Sequence, residues 1–152
     1  MSPPSINKTI NAFKGSYRFL SNFAPCAVYM ENVAYPSVEH AYQAAKTNDP
    51  ALRIPFESGT AAEAKKRGSK LVLRPDWEVI KLAVMEMLLN QKFLQGTEYR
   101  AKLDATKGME LIEGNWWHDN FWGECYCGEK EACKNGGKNH LGKLLMKIRD
   151  ET

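Results

Sequence analysis

Several things are missing from this chain, and each absence narrows what it can be. No stretch approaches the apolar length of a membrane span, and the opening Met-Ser-Pro-Pro-Ser has no charged head followed by an apolar run. Neither a membrane protein nor a secretory leader is expected. There is no internal repeat and no low-complexity tract, so a solenoid or a disordered scaffold is not indicated. Walker, dinucleotide, Gly-x-Ser-x-Gly and His-Glu-x-x-His patterns are all absent, which removes the phosphate-loop, nicotinamide, hydrolase-elbow and zincin readings. Charge of one sign is also scarce: 21 basic residues face 18 acidic ones, for a net of +3. That balance suits an anionic ligand but is too weak for a duplex-binding surface.

Cysteine is sparse too, at Cys26, Cys125, Cys127 and Cys133. Without a secretion signal these read as reduced thiols of a cytoplasmic protein. Three form a Cys-x-Cys-x5-Cys run flanked by His118 and His140, but that spacing is not the one used by common zinc ribbons or fingers. Reduced loop cysteines are therefore expected, with zinc the lesser alternative and no metal or other cofactor assigned.

What is present is an ordinary globular composition, 43% apolar and 26% charged over 152 residues, enough for one domain with a real core. Residues 1–8 are expected to be a flexible segment and 9–150 the domain. Thr9 to Phe13 reads as a short strand, and Val28–Met30 with Val33–Tyr35 as a hairpin about Glu31-Asn32. Thr60-x-x-Glu63 is a capping box opening a helix that ends near Gly68. The longest helix starts at Pro75-Asp76-Trp77 and runs to Gly96, with Trp77, Ile80, Val84, Met85, Leu88, Leu89 and Phe93 on a wide apolar face. Thr97-x-x-Arg100 opens another helix, Met109–Ile112 reads as a strand, and Leu141, Leu144, Leu145 and Ile148 mark the last helix.

The hairpin leads into the stretch of most chemical interest, Pro36 to Lys46. Ser37 can cap a helix there, and Asp49-Pro50 ends it. Glu39, Gln43 and Lys46 fall at i, i+4 and i+7, so an acid, an amide and an amine point the same way. On spacing alone an exposed, solvated face explains them as readily as chemistry does. Ser21 and Asn22, framed by Phe19, Leu20 and Phe23, either brace a turn or hold a sugar hydroxyl or phosphate.

Three of the four tryptophans lie within Gly114-Asn-Trp-Trp-His-Asp-Asn-Phe-Trp-Gly-Glu124. Aromatics set among Gly, Asn and Asp suit a binding loop, and a flat ring beside an acid suits a base joined to a sugar. The competing reading makes Trp116 and Trp117 plugs for one end of the core. Trp77 is likewise either core or the wall of a pocket. Gly136-Gly137-Lys138-Asn139 precedes a helix whose backbone N–H groups can hold an anion.

Taken together, Phe19–Phe23, Ser37-x-Glu39-His40-x-x-Gln43-x-x-Lys46, Trp77-Glu78, Phe121-Trp122-Gly123 and Lys138-Asn139-x-Leu141-Gly142-x-x-Leu145-Met146 resemble the NADAR (YbiA-like) family, in order from about residue 10 to 149. The resemblance implies an α+β fold: a compact single domain, mainly helical, with a small antiparallel sheet. It also implies hydrolysis of a ribosyl C–N bond, in ADP-ribosylated guanine of nucleic acid or in phosphorylated ribosylamino-pyrimidines of riboflavin biosynthesis. By that resemblance Glu39, Lys46 and Asp119 are candidate catalytic residues. Ser21, Asn22, Gln43, Trp77, Trp122, Gly123, Lys138 and Asn139 are candidates for binding a nucleotide-like substrate, with Trp77 and Trp122 stacking on the base and Arg18 or Lys138 near phosphate. The insert from Cys125 to Cys133 is absent from some members. The competing class is a non-catalytic reader of ADP-ribose or nucleotides; a single-strand nucleic-acid binder is disfavoured by scattered basic residues.

Overall fold

The structure is a computed structural model that describes residues 8–151, so the expected flexible segment falls, apart from Lys8, outside the described residues. The chain is α+β. Its elements in order are β1 (Thr9–Ile10), β2 (Val28–Met30), β3 (Val33–Tyr35), α1 (Val38–Ala44), α2 (Pro50–Arg53), α3 (Ala61–Gly68), α4 (Trp77–Lys92), α5 (Glu98–Asp104), β4 (Glu110–Leu111), β5 (Gly114–Asn115), β6 (Glu124–Cys125) and α6 (His140–Asp150). Short 3₁₀ turns occupy Gly15–Leu20, Ile54–Glu57 and Glu131–Cys133. None of the described helices is long and apolar enough to cross a membrane. Contacts cluster into two units, residues 22–94 and residues 8–21 with 95–151.

In the 22–94 unit, β2 and β3 pair antiparallel in the register Val28↔Tyr35, Tyr29↔Ala34 and Met30↔Val33. Glu31 and Asn32 both take positive φ, 51° and 66°, the turn geometry that matches the twist of a two-residue hairpin. The hairpin edge is not left open. Gln91 of α4 accepts from the Tyr29 N–H and donates to the Tyr29 carbonyl, each at 2.7 Å, so its amide stands in for a neighbouring strand.

Helix α1 starts where Ser37, in extended geometry, accepts from the His40 N–H. All seven of its residues are buried, and it packs on α3, α4 and the hairpin. The alternative of a solvated face is thus ruled out for Glu39 and Gln43: this helix is buried in its unit. His40 is fully satisfied, its ring bridging Ser37 Oγ at 2.6 Å and the Gly59 carbonyl at 2.9 Å, and so serves the packing. The capping box of α3 forms as expected from Thr60 and Glu63. Helix α4 buries Trp77, Met85, Leu88 and Leu89, while Ile80 and Val84 are only half-buried. It closes at Phe93, short of Gly96, because Phe93 leaves helical torsions as its ring enters the core.

In the other unit, β1 runs parallel to β4 and β5 parallel to β6. The antiparallel pairing expected of the strands is confined to the β2–β3 hairpin. β1 and β4 lie about a hundred residues apart and β5 and β6 about ten, so neither parallel pair has the tight two-residue turn that marks a hairpin in sequence. Thr97 caps α5. Arg100 and Arg149 tie this unit together from buried positions. Arg100 donates to the Ile148 carbonyl at 3.1 Å, and Arg149 donates to the Thr106 and Met109 carbonyls at 3.0 and 2.7 Å. Leu141, Leu145 and Ile148 of α6 bury the apolar face read from their spacing.

Candidate active site

The acid and amide of α1 stay together when the chain folds, but not as surface groups. Glu39 is 7% and Gln43 4% exposed. One turn apart on α1, they join directly: Gln43 Nε2 donates to Glu39 Oε2 at 2.6 Å. A charge-assisted bond of this length holds a buried carboxylate in one rotamer. Gly68 makes the arrangement sterically possible, since a Cβ there would lie 1.9 Å from Gln43 Oε1. Only glycine lets α3 approach that closely.

The other amide atom, Gln43 Oε1, is buried without a hydrogen-bond partner among the described residues, and so is Asn22 Oδ1. Asn22 belongs to the same neighbourhood, because its backbone carbonyl accepts the Glu39 N–H at 3.1 Å. Two orphaned buried amide oxygens are costly unless a ligand or ordered water donates to them. Hydroxyl or amine donors are the chemistry they call for.

Lys46 lies just beyond the helix, which closes at Ala44 instead of continuing through it. Its backbone is fixed by its own N–H on Gln43 O and by the Arg74 N–H on its carbonyl. The half-buried side chain places Nζ 5.7 Å from the centre of the Tyr42 ring. Burial lowers the Lys46 pKa below the ordinary lysine value; Glu39 pulls it back up, while Lys65 and Lys81 push it down further. Tyr42 in turn packs against Trp77 at 5.1 Å between ring centres. Trp77 is only 3% exposed, a placement that favours backing Tyr42 over offering an open face to a base. Sequence reasoning missed Tyr42, although its position four residues before Lys46 was a readable signal. It also missed Gly68, Lys65 and Lys81, which reach α1 only through the packing of α3 and α4.

The aromatic loop belongs to the 8–21/95–151 unit. Asn115, wholly buried, donates to the Asp119 carbonyl at 2.8 Å and accepts the Asp119 N–H at 3.1 Å, closing the loop on itself. Asp119 Oδ1 then accepts from the backbone N–H groups of Phe121 and Trp122 at 3.1 and 2.9 Å. That oxygen therefore shapes the loop. Trp116 and Trp117 are each 55% exposed, so they do not plug the core. Trp122 is half-buried and meets Phe121 edge-on at 4.8 Å. Ser21 is half-buried at the end of the 3₁₀ turn, while Arg18 and Lys138 are exposed.

The start of α6 differs from the anion cradle expected there. The N–H groups of Lys138, Asn139, His140 and Leu141 donate to the carbonyls of Asn120, Gly123, Phe121 and Trp122, so all four are already used. Asn139 is similarly committed. Its side chain accepts the Glu113 N–H at 3.0 Å and donates to the Leu111 carbonyl at 2.9 Å, a splint between the strand segment and the start of α6. Gly123 is needed for close packing, since a Cβ there would lie 1.9 Å from the Glu113 carbonyl oxygen.

A family model described as the NADAR domain matches residues 10–152. An N-glycosidase from Nostoc punctiforme is 38% identical over 142 residues, covering 89% of this chain and 85% of that protein. A riboflavin biosynthesis protein from Vibrio vulnificus is 35% identical over 139 residues; this chain is covered to 90% but spans only 36% of that longer protein. The N-glycosidase YbiA of Escherichia coli is 35% identical over 138 residues, covering 89% of this chain and 81% of that one. The solution structure of E. coli YbiA matches with a TM-score of 0.76 at 30% identity, over 97% of this chain and 89% of that chain.

Proposed function

The chain belongs to the NADAR family, and from that premise we propose that it is an N-glycosyl hydrolase whose chemistry is carried by Glu39, Gln43 and Lys46. The observation that supports this reading most is the buried Glu39–Gln43 pair, a fixed carboxylate followed seven residues later by an amine with a lowered pKa. Cleaving a ribosyl C–N bond builds positive charge at C1 of the sugar, and a carboxylate held beside it lowers the barrier. Gln43 fixes Glu39 in place. Asp119 acts by holding the loop that carries Trp122.

Lys46 opens a second route when the glycosyl nitrogen is an exocyclic amine. The sugar C1–O bond breaks, the ring oxygen takes up a proton, and C1 and the nitrogen form an imine. The neutral Lys46 amine adds to C1 and expels the base as its free amine, leaving a lysine imine that water hydrolyses. A depressed lysine pKa is the requirement of this route, and burial supplies it.

The finer substrate reading has two members: ADP-ribose joined to guanine in nucleic acid, and phosphorylated ribosylamino-pyrimidines. A cytoplasmic setting goes with either. Incubating the purified protein with each substrate, and measuring released base by mass spectrometry, tests both. Free base from one of them supports the hydrolase. Tight binding with no release from either would replace it with a non-catalytic reader of ADP-ribose. Borohydride added during turnover should trap a sugar adduct on Lys46; an active enzyme that leaves no adduct would remove the imine route and keep direct hydrolysis at Glu39.

A further inference from the structure

Four side chains outside the glycosidase proposal converge on one point. The ligand atoms of His118, Cys125, Cys127 and Cys133 all lie within 4.8 Å of one another. His118 Nδ1 is 3.6 Å from Cys125 Sγ and 3.6 Å from Cys133 Sγ. A tetrahedral zinc ion with Zn–S near 2.3 Å and Zn–N near 2.0–2.1 Å has an N···S edge of about 3.6 Å and an S···S edge of about 3.8 Å. We propose that these four residues form a structural zinc site of the Cys₃His type that clips the tryptophan-bearing loop to the Cys125–Cys133 segment.

The surroundings of the sulfurs match the role. The Cys127 N–H points to Cys125 Sγ at 3.4 Å, the Glu129 N–H to Cys127 Sγ at 3.5 Å, and the Asn120 amide to Cys133 Sγ at 3.2 Å. Such donors offset the charge of three thiolates on one dication and hold them in place. Asn120 is doubly placed, because its Oδ1 also accepts the Cys125 N–H at 3.0 Å. The backbone bends to deliver the ligands. His118, a residue with a Cβ, sits at φ 71°, and Gly128 just past Cys127 sits at φ 70°. A strained histidine needs something to hold it.

Chemistry selects the ion. Three thiolates and one imidazole are a closed nitrogen–sulfur set, which favours zinc in a structural role over calcium or magnesium. A disulfide accounts for the cluster less well. All three cysteines are free in the structure, and any pairing among three leaves an odd thiol. The need for a staple is also plain, because regular structure between Gly114 and Asn139 amounts to two two-residue strands and one 3₁₀ turn. Too few apolar side chains are buried there to hold the loop by packing. The unusual spacing explains why the cysteine pattern read as ordinary thiols: the fourth ligand lies before the cysteines, and the first pair is Cys-x-Cys.

The test is metal content, read without reference to turnover. The full chain, purified in reductant without chelator, should carry one zinc by mass spectrometry of the digested protein. Cobalt in its place should give the visible absorption of tetrahedral thiolate coordination. Cys133→Ser and Cys127→Ser should lose the zinc, while Cys26→Ser should keep it. Should the first two fail to fold, the wild-type chain still decides: a chelator should withdraw the zinc and lower the melting temperature, and added zinc should restore it. Wild-type protein that takes up no zinc after exposure to it, zinc lost equally in Cys26→Ser, or a Cys125–Cys133 disulfide in freshly reduced protein would each overturn the proposal. Because every readout is metal content or stability, an inactive protein that holds zinc would sink the glycosidase reading alone.

Discussion

Replacing Gly68 with alanine adds one methyl group to the last residue of α3, yet it strikes at Glu39. The new Cβ would lie 1.9 Å from Gln43 Oε1, 2.7 Å from its Cδ and 3.0 Å from its Cβ. Gln43 must swing away, and the 2.6 Å bond that fixes Glu39 is lost with it. Overpacking costs about 1–3 kcal/mol, against about 1 kcal/mol gained from alanine's helix propensity. Losing a hydrogen bond to a buried charge adds about 1.5–3 kcal/mol. The net is a destabilisation of about 2–4 kcal/mol, or a fall in melting temperature of roughly 5–15 °C for a chain of this size. Turnover should drop at least ~10-fold, because a displaced carboxylate no longer faces the reacting carbon. The decisive assay is a double-mutant cycle by urea denaturation. With Gln43→Ala already in place, only the 3.0 Å contact with the Cβ at position 43 remains, so Gly68→Ala should cost clearly less than it does in the wild type. The coupling should be at least about 1.5 kcal/mol, the worth of the hydrogen bond to Glu39; effects that add within about 0.5 kcal/mol would refute the Gln43 route.

Glu39→Gln keeps the shape and removes the charge, so a folded variant should lose at least ~100-fold in turnover; near-normal activity would take Glu39 out of the chemistry. Lys46 titrates below the ordinary lysine value in the folded chain, so the unfolded chain binds more protons between the two pKa values and stability rises with pH across that window. Lys46→Met should accordingly be the more stable protein at pH 7, with the gap closing as pH approaches about 10.4, measured as urea midpoints; a gap that widens would contradict the burial penalty. In the same vein, Lys81→Met removes a cation that depresses Lys46, so the rising limb of turnover against pH should move to higher pH. Asn139→Ala strands the Glu113 N–H and the Leu111 carbonyl, at a cost of about 2–5 kcal/mol. Its KM at a temperature where the fold persists should change little, whereas a tenfold rise would return Asn139 to the substrate.

Local physics was enough for the sequence to specify its caps and turns. Ser37, Thr60 with Glu63, and Thr97 each start the helix their hydroxyls predict, and Glu31-Asn32 makes the hairpin turn. Those signals act within four residues of chain, where one linear pattern has one cheap solution. The same range let Glu39 and Gln43 be seen as neighbours on one face, and the motifs in their order pointed to the family. Burial was another matter. Whether that face met water or the core depended on α3 and α4 arriving from later in the chain, and on Gly68 being small enough to let one of them touch. Parallel pairing of β1 with β4 and the consumption of the α6 N–H groups by residues 120–123 are likewise contacts without a local signature. The gathering of His118 with Cys125, Cys127 and Cys133 is of this kind as well. The chain's pattern supplied the thiols, the imidazole and the acids; only folding decided which of these groups lose their water together.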